Sequence, residues 1–318
     1  MKAEARKPGA KSPVRYPLQL NFKLGIALVI LLIFQNKSFA QDRLQTLIAS
    51  GAKLEKLAGD FSFTEGPACD QEGNIFFTDQ PNNRIMKWST ENKLSLFGEN
   101  YGRANGMYFD RKGNLITCSD EKNELWSIAP GGKATVLIKD FEGKRLNGPN
   151  DLWIAPNGGI YLTDPYYKRP WWDHQTMEQD GQHVYYLAPG ASKLKKLITD
   201  FKQPNGIIGT PDGKHLYIAD IGDNKTWRYS INEDGTLSDK KLFAGLGSDG
   251  MTIDNEGNIY LTGKGVTIFN PEGVLIENIP IEENWTANVC FGGKDRHLLF
   301  ITASKSVYGI KMRTKGVQ

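Results

Sequence analysis

Asp70-Gln-Glu-Gly-Asn-Ile-Phe-Phe-Thr-Asp79 is a polar turn running into a short apolar strand. The pattern returns as Asp110-Arg-Lys-Gly-Asn-Leu-Ile-Thr-Cys118, Ala155-Pro-Asn-Gly-Gly-Ile-Tyr-Leu-Thr-Asp164, Thr210-Pro-Asp-Gly-Lys-His-Leu-Tyr-Ile-Ala-Asp220 and Asp254-Asn-Glu-Gly-Asn-Ile-Tyr-Leu-Thr262. A degenerate sixth copy is Gly293-Lys-Asp-Arg-His-Leu-Leu-Phe-Ile-Thr302. The turn positions are Gly73, Gly113, Gly158, Gly213, Gly257 and, in the sixth copy, Arg296, spaced by 40, 45, 55, 44 and 39 residues. Units of about 40–50 residues holding several short strands mark the blades of a propeller. Arg84–Trp88, Glu124–Ile128 and Val184–Leu187 read as third strands of such blades, and no helical periodicity competes with them. The expected fold is all-β: one six-bladed β-propeller over residues 41–318, its six units running from about residue 45 to 312.

The N-terminus has a different character. Seven Lys/Arg and one Glu fall in residues 1–40, and Leu24–Phe34 is an unbroken apolar run of eleven residues. Ser38-Phe39-Ala40 supplies small residues ahead of a cleavage point. Eleven apolar residues are too few to span a bilayer, which needs about 17–25. Residues 1–40 therefore read as a cleaved signal peptide, with export to the periplasm or medium and no stable membrane anchor. The formal charge of +3 for the whole chain comes from that segment. The remaining 32 basic and 35 acidic residues leave about −3, scattered, with no basic stripe for nucleic acid. Cys69, Cys118 and Cys290 are odd in number and lie in apolar strand-like stretches, so they read as buried small hydrophobes, with oxidation of one pair left open.

Eight residues before each turn position stand Glu65, Asn105, Asn150, Asn205, Asp249 and Asn288. Any one Asn-Gly or Asp-Gly step is a common turn former. Six carboxylate or carboxamide residues in register are another matter, because equivalent positions on the innermost strands form a ring around the central channel. Buried carboxylates need partners, and no Lys or Arg shares the register. A hard cation with six to eight oxygen ligands fits, whereas zinc would call for Cys or His, and His174, His183, His215 and His297 lie outside the ring. The expectation is a site for Ca2+, or another divalent cation, held by Glu65, Asn150, Asn205 and Asp249. Asn105 and Asn288 then either support these residues or face the substrate.

Phe63-Thr-Glu-Gly-Pro67, Pro81-Asn-Asn-Arg-Ile85, Arg145-Leu-Asn-Gly-Pro-Asn-Asp151, Thr163-Asp-Pro165, Pro204-Asn-Gly206, Ser248-Asp-Gly-Met251 and Phe291-Gly-Gly293 together resemble the gluconolactonase branch of the regucalcin (senescence marker protein) family, over residues 55–312. The resemblance implies a six-bladed propeller with a divalent metal in the channel. Glu65, Asn205 and Asp249 fall on its metal residues, Asp249 also on its candidate general base, and Asn150 on a ligand or substrate contact. It implies hydrolysis of a small sugar lactone dependent on that cation, expected to be calcium; the substrate-contact candidates are Asn150 and Arg145 in the resembling motif, Asn105 and Asn288 in the ring, and Tyr166 beyond them. Where many members of the branch carry a His after the second-blade Cys, Cys118 is followed by Ser-Asp-Glu. Asp249 could serve as base or nucleophile, or metal-bound water could attack.

The long third spacing hides an insertion, Pro165–Gly181, rich in aromatics. Tyr166, Trp171 and Trp172 are either a lid that stacks on a sugar ring or caps on blade edges. Asp164 and Asp220, which close repeat strands, read as turn residues. No Gly-x-Ser-x-Gly elbow, phosphate loop or dinucleotide fingerprint occurs. The rivals to a lactonase are a metal-dependent esterase or organophosphate hydrolase on the same site, a strictosidine-synthase-like role, and a propeller that binds partners without chemistry. The oligomeric state has no signature in the sequence.

Overall fold

The computed structural model describes Met1 and residues 47–317. The signal segment and the cleavage point lie outside the described residues. Strand β1 (Glu55–Ala58) comes first but joins the last sheet. Blade 1 is β2–β5 (Thr64–Cys69, Ile75–Asp79, Arg84–Trp88, Leu94–Glu99), and blade 2 is β6–β9 (Ala104–Phe109, Leu115–Ser119, Glu124–Ile128, Ala134–Ile138). Blade 3 is β10–β13 (Leu152–Ile154, Ile160–Asp164, His183–Leu187, Leu194–Ile198), and blade 4 is β14–β17 (Pro204–Gly209, His215–Asp220, Lys225–Ile231, Leu237–Ala244). Blade 5 is β18–β21 (Met251–Ile253, Ile259–Gly263, Gly265–Phe269, Leu275–Ile279). Blade 6 is β22–β24 (Thr286–Gly292, Leu298–Ala303, Ser306–Lys311) with β1 as its outer strand. All six sheets are four-stranded and antiparallel. Pairing β1 with β24 ties the start of the ring to its end, so the chain closes without an open seam.

The innermost strands β2, β6, β10, β14, β18 and β22 contact one another in sequence, and β22 returns to β2. They enclose the channel. Apolar residues of neighbouring blades interleave between sheets: Phe77 and Phe300, for example, meet at 5.5 Å between blades 1 and 6.

The repeated turn is one structure used six times. The amide of Gly73, Gly113, Gly158, Gly213, Gly257 and Arg296 donates in each case to the carbonyl three residues earlier. The five glycines have φ between +71° and +96°. Arg296 takes φ +61° in the same place, so the degenerate copy keeps the turn and bears the strain that glycine avoids. Asp70, Asp110 and Asp254 brace their turns by accepting two backbone amides each through Oδ1.

The three cysteines are buried free thiols. Burial pushes the Cys69 thiol up to about 12 and the other two well above the ordinary range.

Candidate active site in the channel

The six residues read off the register sit at the start of the innermost strands. Glu65, Asn105, Asn205 and Asn288 lie within β2, β6, β14 and β22, while Asn150 and Asp249 stand just ahead of β10 and β18. Each of those four strands is bulged at this point: the pairing slips between Glu65 and Ala68, Ala104 and Met107, Pro204 and Ile207, and Thr286 and Asn288. A bulge re-aims a side chain that the plain pleat would alternate away. The two Asn-Gly steps, Asn105–Gly106 and Asn205–Gly206, are thus strand features here rather than hairpin turns.

The glycine of each step has its own cause. A Cβ at Gly66 would overlap the Asn105 carbonyl, and one at Gly106 would lie 2.5 Å from Asp151 Oδ1 and 2.6 Å from the Asn150 carbonyl. A Cβ at Gly206 would lie 2.9 Å from the Asp249 carbonyl, and one at Gly250 would overlap the Asn288 amide. The residue after one ring position makes room for the ring position of the next blade. The Gly106 amide also donates to the Asn150 carbonyl at 2.7 Å, linking the two blades directly.

Behind the ring, the aspartate closing the second strand grips the loop that feeds the blade. Asp79 accepts the amides of Ser62 and Phe63, Asp164 those of Asn147 and Gly148, and Asp220 those of Lys202 and Gln203. These loops lead directly into Glu65, Asn150 and Asn205.

Five of the six ring residues are buried; Asp249 keeps a partly exposed face. Asn205 Nδ2 donates to Asp249 Oδ1 at 2.8 Å and to the Tyr167 hydroxyl at 2.7 Å. The indole Nε1 of Trp285 donates to Asp249 Oδ2 at 2.6 Å. Glu65 Oε2 accepts the Gly66 amide at 2.8 Å. Burial first, and the charge of Asp249 second, push the Glu65 carboxyl well above the usual carboxylate range. Burial also raises Asp249, against the pull of Trp285 and Asn205. Asp151, beside Asn150, is raised by burial to about 8.

Two carboxyls raised together, with Asn205 Oδ1 buried and unpartnered, form an oxygen-rich set short of positive charge. Among the described residues no cluster of three or more His, Cys, Asp or Glu side chains suited to a metal occurs. The donors here are two carboxylates and carboxamide oxygens, which suit a hard, oxygen-seeking cation and not zinc. The residues fit a divalent cation of that type.

The other sequence candidates separate. Arg145 lies among insertion residues, bonded to Asp173 at 2.7 Å and His174 at 2.6 Å with Glu178 beyond. Tyr166 packs on Trp172 (5.4 Å) and His174 (6.4 Å), and its hydroxyl is buried without a partner. The adjacent Tyr167 is the one that reaches the ring. Trp172 is buried, its indole bound to Asp120, and the Trp171 ring is covered by the guanidinium groups of Arg103 (4.9 Å) and Arg169 (5.6 Å). Tyr167, Trp285, Asp151 and Asp120 were missed by the register argument, because none of them occupies the repeated position.

Beneath the ring a void of about 20 Å³ is lined by Gly66, Asp151, Ile207 and Asn288 among others. The far end of the channel opens into a separate cavity of about 250 Å³ lined by Cys69, Tyr108, Trp153, Arg296 and Val317 among others, with no ring residue in its wall.

Residues 63–305 match the family described as SMP-30/Gluconolactonase/LRE-like region, and the chain belongs to that family. A gluconolactonase of Zymomonas mobilis is 29% identical, over 86% of this chain and 85% of the relative. The solved structure of a gluconolactonase from Xanthomonas campestris is 26% identical with a TM-score of 0.79, covering 85% of this chain and 92% of that one. A calcium-binding protein, regucalcin, from Agrobacterium tumefaciens shares the fold at TM-score 0.71 and 19% identity, over 85% and 95% of the two chains.

Proposed function

We propose that this protein is a calcium-dependent hydrolase that opens small sugar lactones in the ring-lined mouth of the channel. The observation that carries the reading is the pairing of buried Glu65 with partly exposed Asp249 beside the unpartnered Asn205 oxygen, in a chain whose relatives include gluconolactonases over most of its length. Glu65, Asn150, Asn205 and Asp249 are the oxygen donors that would hold the cation. When bound, a divalent cation polarises the lactone carbonyl and stabilises the charge that develops on its oxygen. Asp249 accepts the proton of the attacking water. Each of its oxygens already takes one donor, from Asn205 and Trp285, and each retains a further lone pair. Those two bonds fix the plane of the carboxylate, and its partial exposure gives water access. Asn105 and Asn288 complete the polar wall. Glu65 stays out of proton transfer, held by the Gly66 amide within its own strand.

The test is lactone ring-opening followed by acid release at constant pH, with glucono-1,5-lactone, simple aryl esters and a fluorophosphate compared. Turnover confined to lactones supports the reading. Turnover only on aryl esters or the fluorophosphate overturns the substrate class while keeping the site.

Export is a second element of the proposal, resting on the basic, apolar and small-residue order of residues 1–40. N-terminal sequencing of the protein from an exporting host should begin at Gln41; an intact Met1 in the cytoplasm would contradict it.

A further inference from the structure

Three arginines crowd the side of the channel mouth formed by blade 2 and the third-blade insertion, and two are committed. Arg103 bonds the Pro81 carbonyl and pairs with Glu121, and Arg145 is tied to Asp173, His174 and Glu178. Arg169 differs. Its Nε donates to Asp120 Oδ2 at 3.0 Å, and Asp120 is itself locked by the indoles of Trp171 and Trp172. Its guanidinium lies 4.8 Å from the centre of the Tyr167 ring, and Tyr167 is bonded to the ring residue Asn205. Arg169 Nη1 and Nη2 have no hydrogen-bond or ion-pair partner among the described residues, and the side chain is 22% exposed. Its charge reaches both Glu65 and Asp249, lowering their proton affinity.

A guanidinium held through Nε and stacked on aromatic rings, with its Nη edge open, is a preorganised two-pronged donor. That edge matches the two oxygens of a carboxylate. Asp120 already offsets part of the guanidinium charge, so a singly charged carboxylate fits better than a doubly charged phosphate.

We propose that Arg169 is a substrate-recognition residue that selects sugar lactones carrying a carboxylate at the end remote from the lactone carbonyl. This rests on the lactonase reading for the reaction, though not for the binding.

Calorimetry on the full chain in calcium buffer compares glucarate, which has a second terminal carboxylate, with gluconate, which lacks it. The wild type should bind glucarate about tenfold more tightly, as a charge-assisted bidentate contact implies. Arg169→Gln should remove the preference for glucarate over gluconate, and Arg169→Lys, which keeps charge without the fork, should fall between. In turnover, Arg169→Gln should raise KM about tenfold more for glucaro-1,4-lactone than for glucono-1,4-lactone. Equal affinity for the two acids in the wild type, or equal weakening of both in folded Arg169→Gln and Arg169→Lys, would overturn the proposal. A glucarate preference that depends on Arg169 in a protein with no lactone turnover would keep this assignment and sink the lactonase reading instead.

Discussion

The ring and the third-blade insertion meet at one mouth of the channel, yet they are built in opposite ways. The ring is made six times from recurring devices: in four blades a bulged inner strand, in four a glycine that admits the next blade, and in three an aspartate gripping the feeding loop. Its geometry is held by backbone. The insertion is made once and held by side chains, with Asp120 of blade 2 accepting Arg169, Trp171 and Trp172 together. Backbone-held positions tolerate little change, whereas side-chain contacts can be retuned singly. The chemistry would then belong to the ring and the choice of substrate to the insertion.

The largest effect should come from breaking the ring's charge. Asp249→Asn should lower kcat by at least about a thousandfold, the range seen when a group acting directly on the reacting atoms is lost. Stability in chelator should hold or rise, since a carboxyl whose charged form is disfavoured by its surroundings is removed. Steady-state kinetics with urea unfolding checks both halves.

Next comes the close approach between blades. Gly106→Ala would drive a methyl against Asp151 and the Asn150 carbonyl, and should cost about 2–4 kcal/mol in urea titration. A comparable change at Gly143, in the exposed loop between β9 and β10, where nothing lies within 4 Å of an added Cβ, should be limited to the strain of its positive φ.

Asp164 gives a pH signature to the gripping device. Its carboxyl is raised by burial from 3.8 to about 7, against the pull of two amides. The folded state therefore holds a proton that the unfolded chain releases at lower pH. Stability from this group is full below the unfolded value and is lost as pH rises through about 7, by up to about 4 kcal/mol. Urea midpoints measured from pH 4 to 8 should show that decline, and Asp164→Asn should make it shallower, leaving the share of Asp151.

The smallest effect separates the two tyrosines. Tyr166→Phe removes a buried hydroxyl that has no partner, so activity should be unchanged and stability equal or higher by up to about 1 kcal/mol. Tyr167→Phe removes the acceptor that orients Asn205 and should lower kcat/KM about tenfold. Equal effects from the two would erase the distinction drawn inside the insertion.

The same contrast decides what was legible in the sequence. The fold and the six ring positions follow from one count, eight residues back from a repeated turn, because a repeat lets each blade be checked against the others. Even Arg296 could be placed, and it adopts the left-handed turn that its position demands. The insertion has no second copy to align with. Its aromatic richness signals contact but not direction, so the sequence singles out Tyr166 and gives no sign that the adjacent Tyr167 bonds Asn205. Trp285 lies three residues before Asn288, outside the counted register, and only the fold brings its indole to Asp249. Asp164 and Asp220 were read as turn residues. They serve instead as clamps on the loops behind the ring, through contacts 16–18 residues away in sequence.

The most direct test of the account is a calcium titration of the chelated wild-type protein and of Glu65→Gln, with gluconolactone turnover followed on the same samples. The account predicts one high-affinity calcium per chain in the wild type, activity that returns in proportion to its filling, and loss of both in Glu65→Gln with the fold intact. Full turnover in chelator, or calcium uptake and activity unchanged in Glu65→Gln, would contradict it.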